Sequence, residues 1–138
     1  MPAKILVVDD DPDMVELLRL ALTEAGYSAC TATTGAEALA EAQRASPDLV
    51  VLDLLLPGIN GYNVCENLRR NPATASVPII MITMLPGRFP QLVGMEAGVN
   101  VYLNKPFQTQ ELVSCVGGLL GGCSTASNPA HAPRNIAA

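Results

Sequence analysis

The sequence predicts an α/β protein, a doubly wound five-stranded parallel sheet in the order 2-1-3-4-5 with helices on both faces. Three observations carry that expectation. The apolar runs Ile5–Val8, Leu49–Leu52 and Ile79–Ile82 are continuous rather than alternating, as in strands covered on both faces. Strand candidates alternate with segments of helical period, which implies parallel βαβ units with right-handed crossovers. With 138 residues and five strands, the chain is too short for the six-stranded dinucleotide-binding order.

Each element has its own signature. After the first strand, Met14, Val15, Leu17, Leu18, Ala21, Leu22 and Ala25 make one apolar face at helical period. Asp11 is the expected N-cap, Pro12 the first helical residue and Gly26 the stop. Tyr27–Thr31 is a short second strand. Thr34 and Glu37 have capping-box spacing, and a small-residue helix from Ala36 to Arg44 ends before Pro47. The third strand runs to Asp53, and Pro57–Gly61 is a turn-rich loop. Tyr62–Arg70 reads as a helix with Val64, Cys65 and Leu68 inward. The fourth strand, starting at Pro78, ends at Thr83. Pro86, Gly87 and Pro90 leave room only for a short helix near Gln91–Ala97. Val99–Leu103 is the fifth strand, ending near Lys105, and Thr109–Leu120 is the last helix, weakened by Gly117 and Gly118. Residues 1–121 are thus expected to form one domain. Residues 122–138, without periodicity, are expected to be a disordered tail or the start of a linker.

Composition excludes several classes. Hydrophobic residues make up 49%, against a disordered chain, yet no apolar stretch approaches the ~20 residues of a membrane span. The formal charge is −5, and the eight Lys and Arg are scattered, so no basic stripe supports direct nucleic-acid binding. Cys30, Cys65, Cys115 and Cys123 form no CxxC pair, and His131 is the single histidine; zinc is not expected. Four apolar residues after Lys4 are too few for a signal peptide, so a cytoplasmic chain with reduced thiols is expected.

In an open α/β sheet the ligand site lies beyond the carboxyl ends of the strands, where strand order reverses. In the predicted order, strands 1 and 3 are neighbours there. Asp9, Asp10 and Asp53 would converge, with Thr83 and Lys105 on the same edge. Like charges ~4 Å apart cost roughly 4 kcal/mol per pair at an effective dielectric of ~20. A cation, a shared proton or a reaction must therefore make use of the cluster. Carboxylates with a backbone carbonyl and waters suit Mg²⁺. A lysine and a hydroxyl beside them suit phosphoryl transfer, in which a carboxylate is the nucleophile.

Four segments, in order and each at a predicted strand end, carry a resemblance: Lys4–Asp13, Asp48–Gly61, Pro78–Thr83 and Glu96–Phe107. From about Lys4 to Leu120 the chain resembles the receiver domain of two-component response regulators, a chemotaxis-receiver-like module of flavodoxin-like fold. The resemblance implies that Asp53 accepts a phosphoryl group from a sensor histidine kinase or phosphotransfer protein. Asp10, Asp53 and the backbone carbonyl of Leu55 would ligate Mg²⁺ (or Mn²⁺), with Asp9 acting through water. Thr83 would hydrogen-bond the phosphoryl oxygen, and Lys105, joined to Pro106 by a cis bond, would pair with its charge. Tyr102 occupies the aromatic position that turns inward on activation. The domain would be a stoichiometric phosphoacceptor rather than an enzyme. Its modified form would bind a downstream effector protein or domain, or a second copy of itself. Switching would repack the face of the 91–97 segment, the fifth strand and the last helix; that face carries Glu96 and Glu111 but no Lys or Arg from Gln91 to Asn104, which does not support a charge-laced dimer.

The chain departs from the family in two respects. Met84 stands where a small residue is usual, which would narrow the approach to the pocket. Leu55 and Leu85 stand where polar side chains often place a hydrolytic water, so slow self-dephosphorylation is expected. Two alternatives stay open. One is a degenerate receiver that binds partners without phosphorylation, for which Met84 is the argument. The other is an Asp-nucleophile phosphatase of the haloacid-dehalogenase type, suggested by Asp9-x-Asp11 but set against the small size, the lack of a cap domain and an unexplained Asp53. Asp11 and Asp13 read as helix-start residues favoured by the macrodipole, and Asp48 as a turn residue.

Overall fold

The computed structural model describes residues 2–84 and 98–121. These residues form β1 (Lys4–Val8), α1 (Pro12–Glu24), β2 (Ser28–Ala32), α2 (Gly35–Ala45), β3 (Leu49–Asp53), α3 (Gly61–Arg70), β4 (Ile79–Thr83), β5 (Val101–Asn104) and α4 (Thr109–Leu119). The sheet is parallel throughout, in the order β2-β1-β3-β4-β5, as expected. The short helix anticipated near residues 91–97 lies outside the described residues, as do Leu85, Glu96, Cys123 and His131.

Continuous apolar strands follow from helices on both faces. One face of the sheet (Leu6, Val8, Val50, Leu52, Ile79, Met81) packs on Ala38 and Ala42 of α2 and on Val64, Cys65 and Leu68 of α3. The other (Ile5, Val7, Leu49, Val51, Ile80, Ile82) packs on Leu18 and Leu22 of α1 and on Leu112, Cys115 and Val116 of α4. Adjacent residues serve opposite cores, so neither face has an exposed position at which a polar residue would be tolerated. Each fully buried Leu, Ile or Val contributes roughly 1.5–3 kcal/mol relative to exposure.

Capping follows the sequence closely at α1, where the Asp11 carboxylate accepts from Asp13 N–H at 3.0 Å and Pro12 opens the helix. Asp48, read as a turn residue, ties the start of β3 to β1 by accepting from Lys4 N–H at 2.8 Å. At α2 the capping box is displaced. Thr34 Oγ1 accepts from Glu37 N–H at 3.0 Å, but the Glu37 carboxylate reaches one residue further back, to Thr33 N–H at 2.8 Å and the Thr33 hydroxyl at 2.9 Å. The helix stops at Ser46, where the following Pro47 disfavours the right-handed α region; Ser46 itself closes the helix in the left-handed conformation, φ 50°. The second strand begins one residue later than expected and the fifth two residues later. At the fifth, an Arg69–Asn100 network takes up the preceding backbone.

That network ties the C-terminal end of α3 to the chain entering β5. Arg69 donates to Val77 O at 2.6 Å, Ala75 O at 3.0 Å, Gly98 O at 2.7 Å and Asn100 Oδ1 at 2.9 Å. Asn100 Oδ1 also accepts from Ile79 N–H at 2.7 Å, the first residue of β4. Gly98 has φ +99°, and a Cβ there would stand 2.7 Å from Arg69 Nε, so both its backbone and its neighbour exclude a side chain.

Candidate phosphoacceptor site

The sheet order puts the ends of β1 and β3 side by side, with Val8 paired to Leu52. The next residues are Asp9 and Asp53. Carboxylate oxygens of Asp9, Asp10 and Asp53 all lie within 4.8 Å of one another. Asp9 and Asp53 are buried and Asp10 is exposed, so the cluster has a buried floor and one carboxylate at its mouth. Thr83 ends β4 one residue beyond Ile82, which is paired to Asp53, and is itself buried. Lys105 follows β5, and its backbone N–H donates to Thr83 O at 2.8 Å; its bond to Pro106 is cis.

Each side chain has a defined hold. Asp9 Oδ1 accepts from Asp11 N–H at 2.9 Å, and its Oδ2 accepts from Lys105 Nζ at 3.4 Å. Both Asp9 oxygens thus already have protein partners. Lys105 Nζ lies 3.8 Å from Asp53 Oδ2, and Leu55 N–H points at Asp53 Oδ1 from 3.4 Å. The Asp53 carboxyl is pushed up to about 6, first by burial and then by the charge of Asp9, with Asp10 adding to it; Lys105 and the Leu55 N–H act in the opposite direction. A carboxylate held above its ordinary range by burial and neighbouring like charge is the pattern of a functional site.

The loop after β3 is packed against α3 without slack. Gly61 N–H donates to Leu54 O at 2.8 Å. A Cβ at Gly61 would stand 2.6 Å from Asp53 O and 2.9 Å from Leu54 Cα, which explains why a glycine opens this helix. Leu55 and Met84, two of the three apolar departures noted above, are 55% and 69% exposed, so both side chains sit at the surface where the two loops leave the sheet. Tyr102, expected to turn inward on activation, already lies inward here: it is buried in the core cluster that also holds residues of α2 and α3, and its hydroxyl donates to Tyr62 Oη at 3.0 Å. The sequence reading did not single out Tyr62 or Arg69. Tyr62 was hidden by an ordinary helical pattern, and the partners of Arg69 are mostly backbone carbonyls, which leave no trace in a sequence.

The donor set is all oxygen, anionic and clustered at one point. That chemistry fits a hard divalent cation such as Mg²⁺ and suits a soft metal poorly.

Residues 5–117 match the response regulator receiver domain family. The chain belongs to that family. It is 39% identical over 117 residues to the DNA-binding dual master transcriptional regulator RpaA of Synechocystis, covering 85% of this chain and 48% of that protein. It is 41% identical over 120 residues to the alkaline phosphatase synthesis transcriptional regulatory protein PhoP of Bacillus subtilis, covering 87% of this chain and 49% of that protein. The receiver thus spans about half the length of these curated relatives. Its fold is shared with the chemotaxis response regulator CheY4 of Vibrio cholerae, at a TM-score of 0.80 and 31% identity over 84% of this chain and 97% of that one. It is a receiver domain of two-component signalling.

Proposed function

We propose that this receiver is a stoichiometric phosphoacceptor in which Asp53 takes a phosphoryl group from a phosphohistidine on a sensor kinase or phosphotransfer protein. The observation that carries this reading is the buried Asp53 carboxylate with Asp9 and Asp10 within 4.8 Å and the Lys105 ammonium 3.8 Å away. In the reaction, a carboxylate oxygen of Asp53 bonds to phosphorus as the bond from phosphorus to the donor nitrogen breaks, and the imidazole takes up a proton. Asp10, Asp53 and the Leu55 carbonyl would hold Mg²⁺ (or Mn²⁺), with Asp9 contributing through water; the cation would neutralise the equatorial phosphoryl oxygens.

The remaining steps belong to the chain's own residues. The buried floor of the pocket, Asp9 and Asp53, limits the approach of bulk solvent to the acceptor. Once phosphorylation adds charge on Asp53, the Lys105 ammonium moves its pairing from Asp9 towards the phosphoryl group. The Thr83 hydroxyl donates to a phosphoryl oxygen, and Tyr102 carries the change into β5. Residues 1–121 form the receiver; 122–138 serve as a tail or the start of a linker. The partner of the modified form is an effector protein or domain: the charge of −5 gives this chain no electrostatic footprint for nucleic acid. Among the described residues no helix is long and apolar enough to cross a membrane. Against the phosphatase alternative, Asp11, which would have to be its second acid, is the N-cap of α1.

The test is incubation with Mg²⁺ and acetyl phosphate followed by mass spectrometry. An adduct mapped to Asp53 and absent in Asp53→Asn is expected. No adduct under saturating donor would leave the degenerate-receiver reading. Phosphate turnover that survives Asp53→Asn but not Asp9→Asn would favour the phosphatase.

A further inference from the structure

A closed ring of contacts links the candidate phosphoacceptor to β5 by two routes. On one side, the Lys105 ammonium lies 3.8 Å from Asp53, and Lys105 is three residues from Tyr102 along the chain. On the other, Gly61 N–H bonds the Leu54 carbonyl at 2.8 Å, with no room for a single carbon between Gly61 and Asp53 O. The next residue, Tyr62, accepts the Tyr102 hydroxyl at 3.0 Å. The first turn of α3 is therefore fixed to the backbone of the acceptor. Its second residue holds the aromatic of β5 in the core.

Tyr102 is 2% exposed. A buried phenol needs a polar partner at its hydroxyl, and losing one costs about 1–3 kcal/mol. The Tyr62 hydroxyl is half-buried and is pushed up by burial, with the Tyr102 hydrogen bond opposing that rise, so it stays protonated and neutral at physiological pH. The pair is thus a neutral hydrogen bond at the margin of the core, on the side of the sheet that faces α2 and α3. Displacement of Lys105 at one end of the ring, or of the Asp53–Leu54 backbone at the other, reaches this bond through a short strand on one side and the close-packed start of α3 on the other.

We propose that Tyr62 is a positioning residue that holds Tyr102 inward and makes the N-terminus of α3, alongside Thr83, a reader of the state of Asp53. This rests on the phosphoacceptor reading for its trigger, while the tyrosine hydrogen bond at rest does not. The test uses the full chain with its three tyrosines labelled as 3-fluorotyrosine, the ¹⁹F signals being assigned with Tyr27→Phe, Tyr62→Phe and Tyr102→Phe. Spectra are taken before and after treatment with Mg²⁺ and acetyl phosphate, with the Asp53 adduct counted by mass spectrometry. In Tyr62→Phe, which keeps the ring and the fold, the Tyr102 signal is expected to be displaced before any phosphorylation. Its further shift on phosphorylation is expected to fall to less than half that of the parent, at equal adduct yield. A Tyr102 signal unchanged by Tyr62→Phe in the unmodified protein overturns the proposal, and so does an undiminished phosphorylation shift. Absence of any Asp53 adduct in the parent overturns the phosphoacceptor reading and, with it, the reader role; the displaced resting signal would then report the pair alone.

Discussion

The Lys105 ammonium lies 3.4 Å from the Asp9 carboxylate, nearer than the 3.8 Å that separates it from Asp53. Asp9, the more buried of the two acids, takes the closer pairing, and Asp53 is left with the larger share of uncompensated charge. Lys105 is itself only 17% exposed, so the pair is screened less than a surface pair, and removing one partner of a buried pair is costly. Lys105→Met keeps the stem and removes the charge. In metal-free buffer at pH 7.5 it is expected to lower stability by about 1–3 kcal/mol and the thermal midpoint by roughly 5 °C. A midpoint equal to that of the parent would mean that Lys105 does not compensate the cluster.

Asp53 sets a pH dependence of definite sign. Its carboxyl is raised to about 6 in the folded chain, above the ~3.9 of an unfolded aspartate. The native state therefore holds a proton that the unfolded state has lost between those values. The stability this group contributes is fully present below about pH 4 and is lost as pH rises through 6. In chelator, Asp53→Asn is expected to be more stable than the parent at pH 7.5, on the order of 2 kcal/mol, and the difference should close towards pH 4. Thermal melts at several pH values would show it; a gap that widens on acidification would contradict the shift.

Divalent metal should offset the same strain. If Asp9, Asp10 and Asp53 hold Mg²⁺ in the folded chain alone, a free concentration ten times Kd stabilises it by about 1.4 kcal/mol, a few degrees at this size. Asp10 is the exposed member of the cluster, so Asp10→Asn should leave the fold intact and cut that gain by more than half at the same concentration. Equal midpoints for the parent in Mg²⁺ and in chelator would mean that the acids are clustered for another reason.

The sheet and the polar residues at its edge were legible in the sequence because each rests on local pattern. Ile5–Val8 and Leu49–Leu52 announce doubly covered strands by lacking alternation, and Asp9, Asp53, Thr83 and Lys105 stand out as polar residues that end those runs. What stayed hidden depends on contacts between distant segments. Arg69 reads as an ordinary charge in the last turn of a helix, yet it collects the carbonyls of Ala75, Val77 and Gly98. The late start of β5 follows from that network and not from propensity at Val99. Glu37 has the right spacing for a capping box on Thr34, but its carboxylate reaches Thr33, which offers both a backbone N–H and a hydroxyl. Tyr62 and Tyr102 are forty residues apart in sequence, and only the adjacency of α3 and β5 on one face joins them.

Two glycines in helices should respond to alanine with opposite signs. At Gly61 an added Cβ meets Asp53 O at 2.6 Å, Leu54 Cα at 2.9 Å and Met81 Sδ at 3.0 Å. Two of these are backbone atoms following β3 or within it, a strand paired on both sides, so α3 must lift away instead. Overpacking of this kind costs typically 1–3 kcal/mol, and here it also displaces the loop that aims Leu55 N–H at Asp53. At Gly118, in the last turn of α4, nothing lies within 4 Å of the added carbon, and alanine gains up to about 0.5 kcal/mol there, the low end of the helix-interior figure, through reduced backbone entropy of the unfolded chain. In urea unfolding, Gly61→Ala is expected to lower the midpoint and slow modification of Asp53 by acetyl phosphate. Gly118→Ala should raise the midpoint and leave the modification rate unchanged. A Gly61→Ala variant as stable and as reactive as the parent would show that the first turn of α3 is not fixed to the acceptor loop.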